Sequence, residues 1–312
     1  MPIAVEVCSI DELLTTRVIG TSMLRQEIRQ RPVTQQLMLV SLFTAIYAVF
    51  RYFPTFPMIG LSGTSFRAGD FVAPVIAIVL GPWLAVPCIF FGTVIDYAFA
   101  APVFAGLDFL PATVGVIVAG LISRGRVGWA AAFYAVLLSL FVALPLSAFW
   151  IRTIWGFTLP FAWLHIIALL ILISPLGFNA PKWIRSSNGV ALALGVGVTI
   201  LAATMAEHVT GGILYETILF PVIHVTTLSR ATFFWSFIFY LYPIERLVIT
   251  VIATTFVVAF IQAVRSSKLD GILGGIGSRP TTSRSTLDRR QLHRSTHLFL
   301  NHFRELVRSG SN

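Results

Sequence analysis

Charge is what this chain has least of. Residues 35–264 hold only fifteen charged side chains, and over the whole chain charged residues make up 11% against 56% hydrophobic. Mean hydropathy is +0.85. A soluble globular protein carries about 25% charged residues, so that class is excluded. Cysteine is nearly absent, and Cys8 and Cys88 show neither metal nor disulfide spacing. The only lysines are Lys182 and Lys268, neither preceded by glycine, so the phosphate-cradling P-loop is missing. HExxH and GxSxG are missing as well, which removes two familiar hydrolase signatures. The expectation is a protein that is not an enzyme and needs no cofactor or metal.

What is present is a series of apolar runs, several reaching the roughly 20 residues needed to cross hydrocarbon. The expected fold class is an all-α polytopic integral membrane protein of six to eight transmembrane helices. Eight apolar helices are predicted, near 35–53, 67–80, 83–100, 107–123, 128–150, 158–176, 189–209 and 243–264. Gly81-Pro82, followed by Pro87, predicts a break between the second and third, because proline lacks an amide donor and clashes with the preceding turn. Residues 1–34 carry four acids and four arginines, unlike a cleavable signal peptide, so the first apolar run is expected to act as an uncleaved span.

Loop charges give the expected orientation. With the break at Gly81-Pro82 and a cytoplasmic N-terminus, Arg25, Arg29, Arg31, Arg124, Arg126, Lys182 and Arg185 fall inside with the basic C-terminal tail. A single long second span would put most of them outside, against the positive-inside rule. Three segments follow: a cytoplasmic N-terminal segment over 1–34 with a short helix near 9–28, a helical membrane domain over 35–264, and a basic cytoplasmic tail over 265–312. Residues 265–312 carry nine Lys/Arg against three acids. Such a tail faces an anionic inner leaflet more naturally than nucleic acid. Within it, 266–286 read as disordered and 287–307 as a basic amphipathic stretch, or as a dispensable solvated tail. The outer loops are the long ones, with 54–66 a mobile flap and 210–242 a larger excursion carrying the aromatic run 233–242.

The ionisable groups in the apolar stretches gather on the outer side. A charge at mid-bilayer costs about 2.5–3.5 kcal/mol on insertion scales, so a one-sided cluster reads as a site. Asp96, one turn inside the boundary, either binds a ligand or pairs with Arg67 or another outer arginine. Glu207-His208 either line a ligand or are hydrated at the interface. Asp108 and Asp70 suit helix starts, where an acid meets the positive end of the dipole, as well as they suit binding. Glu245-Arg246 read as a helix start with mutual pairing, or as ligand contacts. His165 reads as a packing histidine. The substrate-binding set is therefore Asp96, Glu207, His208, Arg67 and Asp108. In the first span, Ser41…Ala45 and Thr44…Ala48 give small residues at four-residue spacing, suited to close helix approach, either within the chain or to a partner subunit. Ser41, Ala45 and Ala48 are the expected partner-docking residues.

Four local features resemble the substrate-binding S components of energy-coupling factor (ECF) vitamin transporters. They are SLFTAIYA in the first span, the Gly-rich loop leading into RAGDFVAPVIAIVLGP, the following GTVIDY, and PATVGVIVAG. The resemblance covers mainly residues 37–145. It implies a subunit that captures a small nutrient, a vitamin or related metabolite, from outside the cell membrane. It also implies docking on a transmembrane coupling subunit driven by two ATPases, loop 54–66 gating the pocket, and the first-span small face meeting the coupling subunit. The chain departs from that family in having eight predicted spans rather than six, and Ser and Thr where the family tends to alanine. Two other readings stand beside it: a membrane scaffold with no small-molecule ligand, and an intramembrane enzyme using Asp96, Glu207 and His208.

Overall fold

The computed structural model describes residues 32–60 and 63–267. The expected N-terminal helix near 9–28 and nearly all of the basic tail lie outside the described residues. Nine helices organise the rest: α1 (Val33–Arg51), α2 (Gly69–Leu80), α3 (Pro82–Asp96), α4 (Phe109–Ser123), α5 (Val127–Ala143), α6 (Trp163–Ile173), α7 (Pro175–Ile184), α8 (Gly189–Leu214) and α9 (Leu228–Ser266). Strands among the described residues form two antiparallel hairpins. One pairs β1 (Pro54–Pro57) with β2 (Ser65–Arg67), the other β3 (Trp150–Arg152) with β4 (Thr158–Pro160). The class is helical, with apolar helices of membrane length.

Among the described residues, three helices are long and apolar enough to cross a membrane: α1, α8 with its extension to Val222, and α9; α6 and α7, bent by 68°, add a fourth if taken as one broken span. The remaining apolar helices, α2 to α5, have 12 to 17 residues. At 1.5 Å per residue, the 12 residues of α2 reach only about 18 Å. Burial explains how so short a helix holds its place. Every residue of α2 except Phe71 is buried, so α2 is a central rod wrapped by other helices rather than a lipid-facing one. α4 packs along α8, α1 against α3, and α9 against both α8 and α2.

The predicted break between the second and third helices is present at Gly81, whose φ of +79° is open to glycine and strained for other residues. Pro82 then starts α3, where its missing N–H leaves nothing unpaired. α1 docks on α3 at Gly92, where a Cβ would come within 2.6 Å of the Tyr47 ring and 3.4 Å of Ala48 N.

Several predicted boundaries are corrected. Within the stretch expected to be a flap, β1 and β2 pair as the two sides of a hairpin arm, with Met58 N donating to Thr64 O at 2.9 Å. The helix expected over 128–150 stops at Ala143, and the one expected from 158 starts at Trp163, because β3 and β4 pair between them. A separate α7 follows α6; Ser174 caps it by accepting from Leu176 N, and Pro175 occupies its first turn. The excursion expected over 210–242 is largely helical. α8 runs through Thr210-Gly211-Gly212, then a π-helical turn (Tyr215–Leu219) and a last turn (Phe220–Val222), and α9 begins at Leu228. Pro243, expected to open a helix, lies inside α9. Proline is tolerated within membrane helices where neighbouring groups re-satisfy the freed backbone.

Candidate functional site

The aromatic run in α9 shows how the site is assembled. Trp235, Phe239, Tyr242 and Arg246 are buried while Phe233, Phe237 and Ile244 are exposed. Steps of three and four residues put the buried set on one face of the helix. That stripe carries Arg246 inward with the aromatic rings, so Arg246 is 1% exposed and Glu245 4%. They sit in mid-helix and do not mark a helix start.

At the end of the bundle where α1 and α3 stop, a cavity of about 120 Å³ opens between the β1–β2 hairpin and helices α2, α4, α8 and α9. That is room for on the order of ten waters, or for part of a small solute. All five residues expected to bind substrate, Asp96, Glu207, His208, Arg67 and Asp108, line this one cavity. Their immediate partners differ. Asp96 closes α3 and accepts from Arg51 Nε at 3.0 Å, so its ion pair is with Arg51 and not with Arg67. Arg51 also donates to Tyr47 OH at 3.5 Å. Asp108 does not cap α4. Its carboxylate turns back onto the preceding loop, accepting from Val103 N at 2.8 Å and Phe104 N at 3.1 Å.

Glu207 and His208 lie within α8 rather than at its end, and Glu207 is only 8% exposed. Glu207 stands close to Asp70 of α2, and both carboxyls line the cavity. Asp70, expected at a helix start, makes no cap: the N-cap residue of α2 is Ala68, with no side-chain cap bond. His208 forms part of a ring stack. Its centroid is 5.1 Å from His165 and 4.9 Å from Tyr242, with near-parallel planes, and His165 Nε2 and His208 Nδ1 share a hydrogen bond of 2.9 Å. With Nδ1 so engaged, Nε2 is the His208 nitrogen left for a ligand. His165 is buried among these rings, its Nε2 bonded to His208 and its Nδ1 without a hydrogen-bond partner among the described residues.

The hairpin covers this chamber. Phe66 of β2 places its ring 5.4 Å from the Arg246 guanidinium. The arm is fastened beyond β1, where Tyr215 OH donates to Ile59 O at 2.6 Å. Gly60 beside it has φ +89° and leaves no room for a Cβ, which would lie 2.7 Å from Tyr215 OH. Tyr215 opens the π-helical turn, a distortion often found at functional sites. On the other side, Leu146 is clamped twice. Its N–H donates to Glu216 Oε1 at 2.7 Å, and its carbonyl accepts from Trp235 Nε1 at 2.9 Å.

No protein-family model, curated protein or solved structure matches this chain.

The residues that sequence reasoning underrated are Arg51, Asp70, Glu245 and Arg246. For Arg246 a signal existed in the three-and-four spacing from Trp235 through Tyr242, masked by taking Pro243 as a helix start. For the Asp70–Glu207 contact no local signal exists, because it joins helices far apart in sequence. The small-residue face of α1 divides. Thr44 is buried and Ala48 packs toward α3, whereas Ser41 and Ala45 are exposed. Among the described residues no group of three or more His, Cys, Asp or Glu is arranged to hold a metal.

Proposed function

We propose that this chain is the membrane-embedded solute-binding subunit of a transporter, capturing a small vitamin-like nutrient at the outer side of the cell membrane. The observation that carries the reading is the hairpin-covered cavity into which charged groups from α2, α3, α8 and α9 converge. Ionisable residues at membrane depth are costly and mark solute or ion pathways when they face a protein-lined cavity. The loop charges support the direction. With both termini cytoplasmic and the chain crossing about eight times, α2 through α5 each count as a crossing and the cavity mouth faces outward.

The solute then passes inward through a separate coupling subunit, with ATPase subunits supplying the energy; the missing P-loop fits that division of labour. Ser41 and Ala45, exposed on α1, offer a close-approach face for that partner. Gating falls to the β1–β2 arm.

The test is purification in mild detergent, followed by mass spectrometry of retained small molecules and of co-purifying proteins. A stoichiometric metabolite together with an ATPase-bearing complex is the expected result. A chain that repeatedly comes through empty, with no ATPase partner, is a scaffold and not a solute-binding subunit.

A further inference from the structure

Among the ionisable residues lining the cavity, some already have geometric partners. Asp96 is tied to Arg51, and Asp108 to two backbone N–H groups. Arg246 is different. Its Nη1 reaches Thr204 Oγ1 only at 3.5 Å, and its Nη2 stands 3.8 Å from Glu245 Oε2, beyond hydrogen-bond length. Nε and Nη2 have no hydrogen-bond partner among the described residues, and neither does Glu245 Oε1. A guanidinium presents five donors in a planar fork matched to carboxylate and phosphate oxygens, and buried polar groups left without partners are rare enough to require an explanation. The cover over this guanidinium is the Phe66 ring on the hairpin arm, which a lifting arm would carry away.

Facing the same cavity are the carboxyls of Asp70, Glu207 and Glu245. Beyond the Arg51–Asp96 pair, the lining therefore presents two kinds of charged group: the guanidinium of Arg246 with half-buried Arg67, and these carboxyls with Asp108. A solute with only an acid group or only an amine engages one kind and leaves the other without a partner, which is costly for buried polar groups. A solute carrying both engages both.

Resting on the transporter reading above, we propose that the captured solute is zwitterionic, with an acid group on Arg246 and a protonated amine on the carboxyls of Asp70, Glu207 and Glu245. Trp235 and Tyr242, which also line the cavity, supply the apolar wall for the body that joins the two groups.

The experiment extracts retained solutes from the purified full-length protein and treats them with an acid-methylating reagent and an amine-acylating reagent before mass spectrometry. The wild type, Arg246→Gln, Arg246→Lys and the exposed-site control Arg230→Gln are compared, and gel filtration with thermal melting shows which are folded. A wild-type solute that takes both tags is expected. Its retention is expected to fall at least about thirty-fold in Arg246→Gln, as for truncating one member of a buried charge pair, with Arg230→Gln unchanged. Should Arg246→Gln fail to fold, Arg246→Lys, which keeps the charge and loses the fork, carries the test through reduced retention. A retained solute taking one tag or none overturns the zwitterion assignment and leaves solute binding standing, as does undiminished retention in a folded Arg246 variant. No retained solute in any wild-type preparation overturns solute binding, and this inference with it.

Discussion

Arg51 Nε donates to Asp96 Oδ2 across 3.0 Å, joining the last residue of α1 to the last residue of α3. Both side chains are buried. The pair therefore fastens two helix ends at the rim of the cavity, and it gives Asp96 a structural role whatever the cavity holds.

Breaking that pair is expected to be costly in one direction and recoverable in another. Arg51→Ala or Asp96→Ala leaves a buried charge alone and should destabilise by about 3–5 kcal/mol. The double variant, which removes both charges, should recover a substantial part. Thermal unfolding in detergent across the four-member cycle reads this out. Equal and additive losses would show that the two residues do not act as a pair.

The hairpin latch should be adjustable without damage to the fold. Tyr215→Phe removes the hydroxyl that holds Ile59 O at 2.6 Å, a contact worth about 1 kcal/mol net. The arm should then stand open roughly five times more often. A cysteine placed at Met58, a buried position on the arm itself that lines the cavity, reports it: thiol labelling should quicken several-fold in Tyr215→Phe, with little change in melting temperature. Unchanged labelling would mean that the hydrogen bond does not hold the arm.

Orientation can be checked with two exposed positions. In a background of Cys8→Ser and Cys88→Ala, Trp155→Cys in the β3–β4 turn should react with an impermeant thiol reagent in intact cells. Ser187→Cys, between α7 and α8, should react only after the membrane is opened. Both residues are exposed, so access to them is decided by the side they face. The reverse pattern would invert the bundle and place the cavity mouth in the cytoplasm.

Much of the bundle could be read from local pattern. The break at Gly81-Pro82 follows from two residues that constrain their own backbone, and the apolar runs for α1, α4 and α8 follow from a requirement that every residue in the run shares. The errors fall where a local signal was outvoted by packing. Pro243 reads as a helix start, yet it is carried through α9 because the surrounding helices support both flanks. Glu207 reads as an acid at a helix end and lies within α8, whereas Asp108 and Asp70 do stand at helix starts, at the N-cap position of α4 and in the first turn of α2, without a side-chain cap bond.

The sequence by itself determined the class and drew the ionisable residues to one side, because the cost of charge in hydrocarbon acts on each residue independently and shows in composition. Only the tertiary structure decided which charges are spent on one another and which remain. Arg51 with Asp96 and Asp70 with Glu207 are contacts across 45 and more than 130 residues of chain. No periodicity encodes such pairings; they exist only once α1, α2, α3 and α8 are packed. The same packing leaves Arg246 lining the cavity without full partners, and that residue, underrated in the sequence, is the one on which the proposed zwitterionic solute rests.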